Sequence, residues 1–170
     1  MAYLRTVTSR NIHTQEEVKT PFKQTPEDVH AIVRTIARRK YRYKQGENHA
    51  LLLEKLNLEN ADFYEAHLEG ARLNNTNLAN ASFRKAHLEE ARLRRTILKG
   101  ANFSLAHLEG AKLLGADLTG ADLSGAFLYG TDLTDCIGLT QDQIIRANID
   151  KKTQLPPYLL KSGEKGKRNS

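Results

Sequence analysis

Three histidines and three glutamates are the side chains of this sequence most suited to chemistry. His67, His87 and His107 recur at intervals of twenty residues, and Glu69, Glu89 and Glu109 follow each of them two positions later. Imidazole and carboxylate both ligate transition metals, so two of the histidines brought together could hold an ion such as zinc. Zinc needs donors that converge on a point, whereas a constant interval sets equivalent side chains in a line. The column is therefore read as a surface ladder, bounded by Glu47 and Phe127 at the flanking positions. Neither a metal nor another cofactor is expected. Arg72, Arg92 and Lys112 form a parallel column at the same interval. Set beside the glutamates across a corner, they would relieve like-charge repulsion, at about 0–1 kcal/mol per exposed pair.

A second candidate surface lies in residues 81–100. Arg84, Lys85, Arg92, Arg94, Arg95 and Lys99 face only Glu89 and Glu90 there, a local net charge of +4. Such a belt could meet phosphates, nucleic acid or an acidic protein. No aromatic residues interleave with it, which argues against base stacking. Its bland alternative is a solvated face sharing its charges with neighbouring segments. Leu105, Leu114, Phe127 and Tyr129 stand where polar residues are due, and mark either a protein contact or packing beneath a C-terminal helix. The sequence has no nucleophile beside a base, no glycine-rich phosphate loop and no pair of acids in a lined cleft, so catalysis is not expected.

These side chains are positioned by a repeat. Leucine or phenylalanine recurs every five residues at Leu53, Leu58, Phe63, Leu68, Leu73, Leu78, Phe83, Leu88, Leu93, Leu98, Phe103, Leu108, Leu113, Leu118, Leu123, Leu128 and Leu133. Two positions before each stands a small residue, usually alanine; Leu51, Leu56, Thr76, Thr96 and Thr131 are the exceptions. Neither the helical period nor strict strand alternation accounts for a five-residue repeat. A chain that turns a corner every five residues does, with one large and one small side chain inward. Glycine and asparagine at the pentad ends suit the turns. The segments 66–73, 86–93 and 106–113 read AHLEGARL, AHLEEARL and AHLEGAKL, and Phe63, Phe83 and Phe103 share their interval. Twenty residues per turn at five per side make a four-sided coil.

Ala61-Asp62-Phe63, Ala116-Asp117-Leu118 and Ala121-Asp122-Leu123 follow the pattern A(D/N)Lxx and resemble the pentapeptide-repeat family, in its bacterial and possibly cyanobacterial form. The resemblance implies an all-β solenoid, a right-handed quadrilateral parallel β-helix of a little over four coils, roughly 20 Å long. It also implies a role in binding rather than catalysis. Some members mimic duplex DNA and protect topoisomerases from quinolones, which takes a long acidic surface and, in several, projecting loops. Here residues 51–135 carry nine Lys/Arg against twelve Asp/Glu and run without an insertion, so that role ranks low.

A solenoid needs capped ends. Thr25-Pro26-Glu27-Asp28 opens a capping helix over 26–40 with Val29, Ile32, Val33 and Ile36 as its apolar stripe. At the other end Gly138 stands where a leucine was due, and Thr140-Gln141-Asp142-Gln143 is a capping box before a short helix. The expected organisation is a flexible segment at 1–24, a capping helix and basic connection at 25–50, the coil at 51–138, a C-terminal helix and extended segment at 139–160, and a disordered tail at 161–170. The formal charge of +6 sits in the flanks and the one basic coil. The single cysteine, Cys136, excludes an intramolecular disulfide, falls on a small inward position and fits a reducing compartment. With no apolar leader or membrane-length apolar run, a cytoplasmic location is expected. The expected function is a non-catalytic protein–protein interaction or scaffolding module, regulatory in character. The alternative is a DNA- or topoisomerase-related role through the basic flanks and the belt.

Overall fold

The computed structural model describes residues 50–159 together with Ala31, Val33, Thr35 and Ile36. The remainder of the expected N-terminal helix, the basic connection, the first 24 residues and the tail lie outside the described residues. From residue 51 the chain winds as a right-handed, four-sided parallel coil. Arg72 pairs with Leu52 and Arg92, His87 with His67 and His107, and Asn77 with Asn57 and Ile97, each a parallel pairing of residues twenty apart. The first face holds pentads 61–65, 81–85, 101–105 and 121–125. The second begins at 66, 86, 106 and 126, the third at 51, 71, 91, 111 and 131, and the fourth at 56, 76, 96 and 116.

The pentad can be explained by counting backbone hydrogen bonds. The second residue donates to the coil before it and the third to the coil after it, as in Arg72 N–H to the Leu51 carbonyl and Leu73 N–H to the Arg92 carbonyl, at 2.8 and 2.7 Å. The fifth donates onward, as Gly70 does to Glu89 at 2.8 Å, and the first closes the turn, as Ala71 does to Leu68 at 3.0 Å. The fourth N–H is left over. Where the second residue is Asp or Asn, its side chain accepts that bond: Tyr64 N–H donates to Asp62 at 3.0 Å, Ser104 N–H to Asn102 at 2.9 Å and Thr119 N–H to Asp117 at 3.1 Å. The D/N of the repeat is thus an Asx turn that completes the backbone's hydrogen bonding. Ser124, by its hydroxyl and its N–H, holds the Asp122 carboxyl below the usual carboxylate range. Turn strain is spread widely, because Glu65, Lys85, Arg95 and Leu105 take φ of 52–59°, in the left-handed region where the glycines lie at 64–71°.

Inside, the ladder of third-position residues is fully buried. Phe63, Phe83 and Phe103 stack at 5.1 and 4.9 Å, and Leu68, Leu88, Leu108, Leu73, Leu93, Leu78, Leu98 and Leu118 are at 0% exposure, with Leu113 at 1%. Burial of the small-position threonines is satisfied, since Thr76, Thr96 and Thr131 donate to the carbonyls of Leu53, Leu73 and Leu108 at 2.6, 3.2 and 2.7 Å. Cys136 makes the equivalent contact with the Leu113 carbonyl at 3.2 Å, and burial pushes its thiol up to about 12.

Both ends are closed by packing. Ala31, Val33, Thr35 and Ile36 are helical, Ile36 is buried in the core cluster, and Val33 packs against it. At the C-terminal end, strand-like pairing continues past Gly138. The capped helix Gln141–Arg146 takes the place of a first-face pentad, its Gln143 side chain donating to the Leu118 and Ala121 carbonyls at 3.1 and 2.7 Å. Asn148 then pairs with Phe127 on the second face and Gln154 with Asp132 on the third. An irregular last turn therefore covers the final regular one. Among the described residues no helix is long and apolar enough to cross a membrane.

Gly138 holds this closure. A Cβ there would lie 2.7 Å from the Thr119 Cα at a φ of +71°, whereas at Gly120, with a φ of +68°, a Cβ would meet nothing within 4 Å. In urea unfolding, Gly120→Ala is expected to cost about 1 kcal/mol of conformational strain. Gly138→Ala should cost at least about 2 kcal/mol more, because backbone must move. Equal costs would contradict this account of the end.

Candidate functional site

The histidine column stands on the second face. Its rings stack at 4.7 Å (His67–His87) and 5.0 Å (His87–His107), and Phe127 extends the row at 4.7 Å from His107. Each ring is held by the glutamate of its own pentad, Nδ1 to Oε1, at 2.9, 3.1 and 3.2 Å from the first pair to the third. This corrects the expected pairing of the glutamates with Arg72, Arg92 and Lys112. The second and fourth residues of a pentad flank the one that points inward, so both project outward on the same face. Arg72 bonds Glu54 instead, at 3.2 Å.

The donor atoms of His67, Glu69 and His87 lie within 4.8 Å of one another, as do those of Glu89, His107 and Glu109. An ion shared there would displace the hydrogen bond that already joins Nδ1 to Oε1. The remaining oxygen, Oε2 of Glu69, Glu89 and Glu109, is buried without a hydrogen-bond partner. That desolvation belongs to the ladder's cost and ties each carboxylate to its imidazole. A shallow groove follows the corner, with the three histidines and Phe127 on one wall and Glu65, Lys85 and Leu105 on the other. Of the apolar outward residues, Phe127 closes the aromatic row, Tyr129 tilts against it at 6.1 Å, and Leu105 stays 44% exposed.

The basic belt is not one surface. Arg84 and Lys85 stand on the first face beside Tyr64, each cation 5.6 Å from its ring centroid. Lys85 is paired with Glu65 at 3.1 Å, a bond that raises the Lys85 pKa. Lys99, on the fourth face, reaches Asp117 at 3.4 Å. Arg92, Arg94 and Arg95 share the third face, in line with Arg72 and Lys112. Among the described residues Arg92, Arg94, Arg95 and Lys112 make no ion pair.

Departures from the repeat are therefore concentrated. The second position reads Asp62, Ser82, Asn102 and Asp122 on the first face, and Asn57, Asn77, Ile97 and Asp117 on the fourth. On the second face it reads His67, His87, His107 and Phe127, and on the third Leu52, Arg72, Arg92, Lys112 and Asp132. Two adjacent faces keep the turn-closing residue and the other two have largely exchanged it for imidazole or cation. Arithmetic modulo twenty on the charged residues, not only on the apolar ones, carries this signal.

Pentapeptide repeats match residues 61–100 and 101–137 by family model, in eight copies. No curated protein matches the chain. Among solved structures, QnrB1, a plasmid-mediated fluoroquinolone resistance protein, is 22% identical, with a TM-score of 0.53 over 71% of this chain and 71% of its own. At that identity the likeness is one of fold. The pentapeptide repeat protein Rfr23 from the cyanobacterium Cyanothece 51142 is 25% identical, with a TM-score of 0.29 over 62% of this chain and 85% of its own. One from the Arabidopsis thaliana thylakoid lumen is 28% identical, with a TM-score of 0.36 over 60% of this chain and 81% of its own.

The ladder makes a measurable claim. In a double-mutant cycle read by urea unfolding, His87→Ala and Glu89→Gln are each expected to cost about 1–2 kcal/mol. Their coupling should be about 1 kcal/mol, and additive costs would show that the pair does not interact.

Proposed function

We propose, from the premise that this chain belongs to the pentapeptide-repeat family through residues 61–137, that it is a non-catalytic binding rod for another protein. Its docking surface is the second and third faces. The observation that carries this reading is the placement of the departures from the repeat. Asp and Asn at the second position complete the backbone hydrogen bonds of a pentad, so exchanging them in columns on two adjacent faces gives up local stability. A regular coil built only for rigidity has no reason to vary by face.

The packed interior adds support, since a core of Leu, Phe and Ala leaves binding to the outside. Rigidity helps as well, because a side chain on a hydrogen-bonded coil loses little freedom on docking. Nucleic acid is the weaker reading. Two cations of the belt, Lys85 and Lys99, are engaged by Glu65 and Asp117 on faces other than the third, which divides the surface that a polyanion would need.

Anisotropy titration of the full chain with labelled duplex DNA at low and physiological salt separates the two. Weak binding that vanishes at physiological salt is expected, together with protein cross-links from the native cell that map to the second and third faces. Binding to DNA that survives physiological salt would overturn the protein-binding reading.

A further inference from the structure

The third face has a charge profile that neither the whole chain nor the belt reveals. Its first coil is neutral, with Glu54 beside Lys55. The next three hold Arg72, then Arg92, Arg94 and Arg95, then Lys112, five cations and no acid. The coil after them reverses sign with Asp132 and Asp135. Parallel pairing of Arg72 with Arg92 and of Arg92 with Lys112 stacks these coils directly. At a spacing of about 4.8 Å per coil the basic zone is about 14 Å long. Among the described residues only Arg72 has an ion-pair partner in it, Glu54. A like-charge column of this kind is costly in isolation, and an anionic group laid along it removes the repulsion.

We propose that the basic zone of the third face binds a short acidic segment of a partner protein in extended conformation. The length and the boundaries decide the occupant. An extended peptide advances about 3.4 Å per residue, so the zone accommodates about four residues. Asp132 and Asp135 then repel further acid and favour a cation in the segment that follows. A nucleic-acid backbone laid along the face would carry its charge on over these carboxylates. Among the described residues the zone also lacks an aromatic side chain on which bases could stack. Arginine suits the carboxylates of the segment, because its planar fork bonds them in pairs. This inference rests on the binding-rod reading and names the chemistry of the partner.

The test is fluorescence anisotropy on the full chain with labelled oligoglutamates of increasing length, and duplex DNA as the competing probe. Affinity should rise with peptide length up to about four or five residues and then level off. Arg92→Gln/Arg94→Gln should lower oligoglutamate affinity about tenfold or more. Arg84→Gln/Lys99→Gln, which removes the same charge from other faces, should change it less than about threefold. All four side chains are on the surface, and a thermal melt of each variant checks that the coil is intact. Equal losses from both variants, undetectable oligoglutamate binding, or tighter binding to duplex DNA than to oligoglutamate would each overturn the proposal. Cross-linking of a native protein partner that is insensitive to Arg92→Gln/Arg94→Gln would sink this proposal alone and leave the binding rod standing.

Discussion

The structure depends on the backbone hydrogen bonds that join each coil to the next, between residues 19 or 21 positions apart. Arg92 shows the arrangement in one residue: its N–H donates to the Ala71 carbonyl at 2.8 Å, and its own carbonyl accepts from Leu73 N–H at 2.7 Å. Those two bonds join neighbouring coils, and their repetition on four faces gives the coil its register. A residue's face is then its sequence number modulo twenty. Stacked phenylalanines, stacked imidazoles and a stacked cation column are three results of one register.

That register separates two jobs that most folds mix. Inward residues and the Asx turns build the rod, and everything else at the surface is free to vary. On the first and fourth faces variation is small. The second and third faces instead bear side chains whose arrangement costs free energy unless something offsets it. For the histidines the offset is internal, supplied by Glu69, Glu89 and Glu109. Among the described residues Arg92, Arg94, Arg95 and Lys112 have no such internal offset, and this asymmetry is what makes the third face the place to look for a partner.

Much of the fold could be read from the residues alone, because large and small inward positions alternate with a fixed interval from Leu53 to Leu133. Thr140 and Gln143 likewise announced their helix, and both capping bonds are present. The site was less legible. Arg84 to Lys99 are near along the chain but span a coil of twenty residues, which visits every face. His67 and Glu69 are two apart in an extended segment, a spacing that places them on one side and favours a pair within the pentad over one with the next column. The last turn was illegible for a different reason. Asn148 and Gln154 pair at offsets of 21 and 22 residues, so the helix Gln141–Arg146 breaks the very period by which the coil is recognised.

The central claim is that recognition is set by face and not by charge. Glu59-Asn60 and Arg94-Arg95 occupy equivalent turns on the fourth and third faces, with φ of 59° at Asn60 and 54° at Arg95. Exchanging these two dipeptides leaves composition and net charge unaltered. The variant should melt with the native protein and bind oligoglutamate about tenfold or more weakly in an anisotropy titration. An unchanged affinity in a fully folded variant would contradict the claim, because net charge alone would then account for binding.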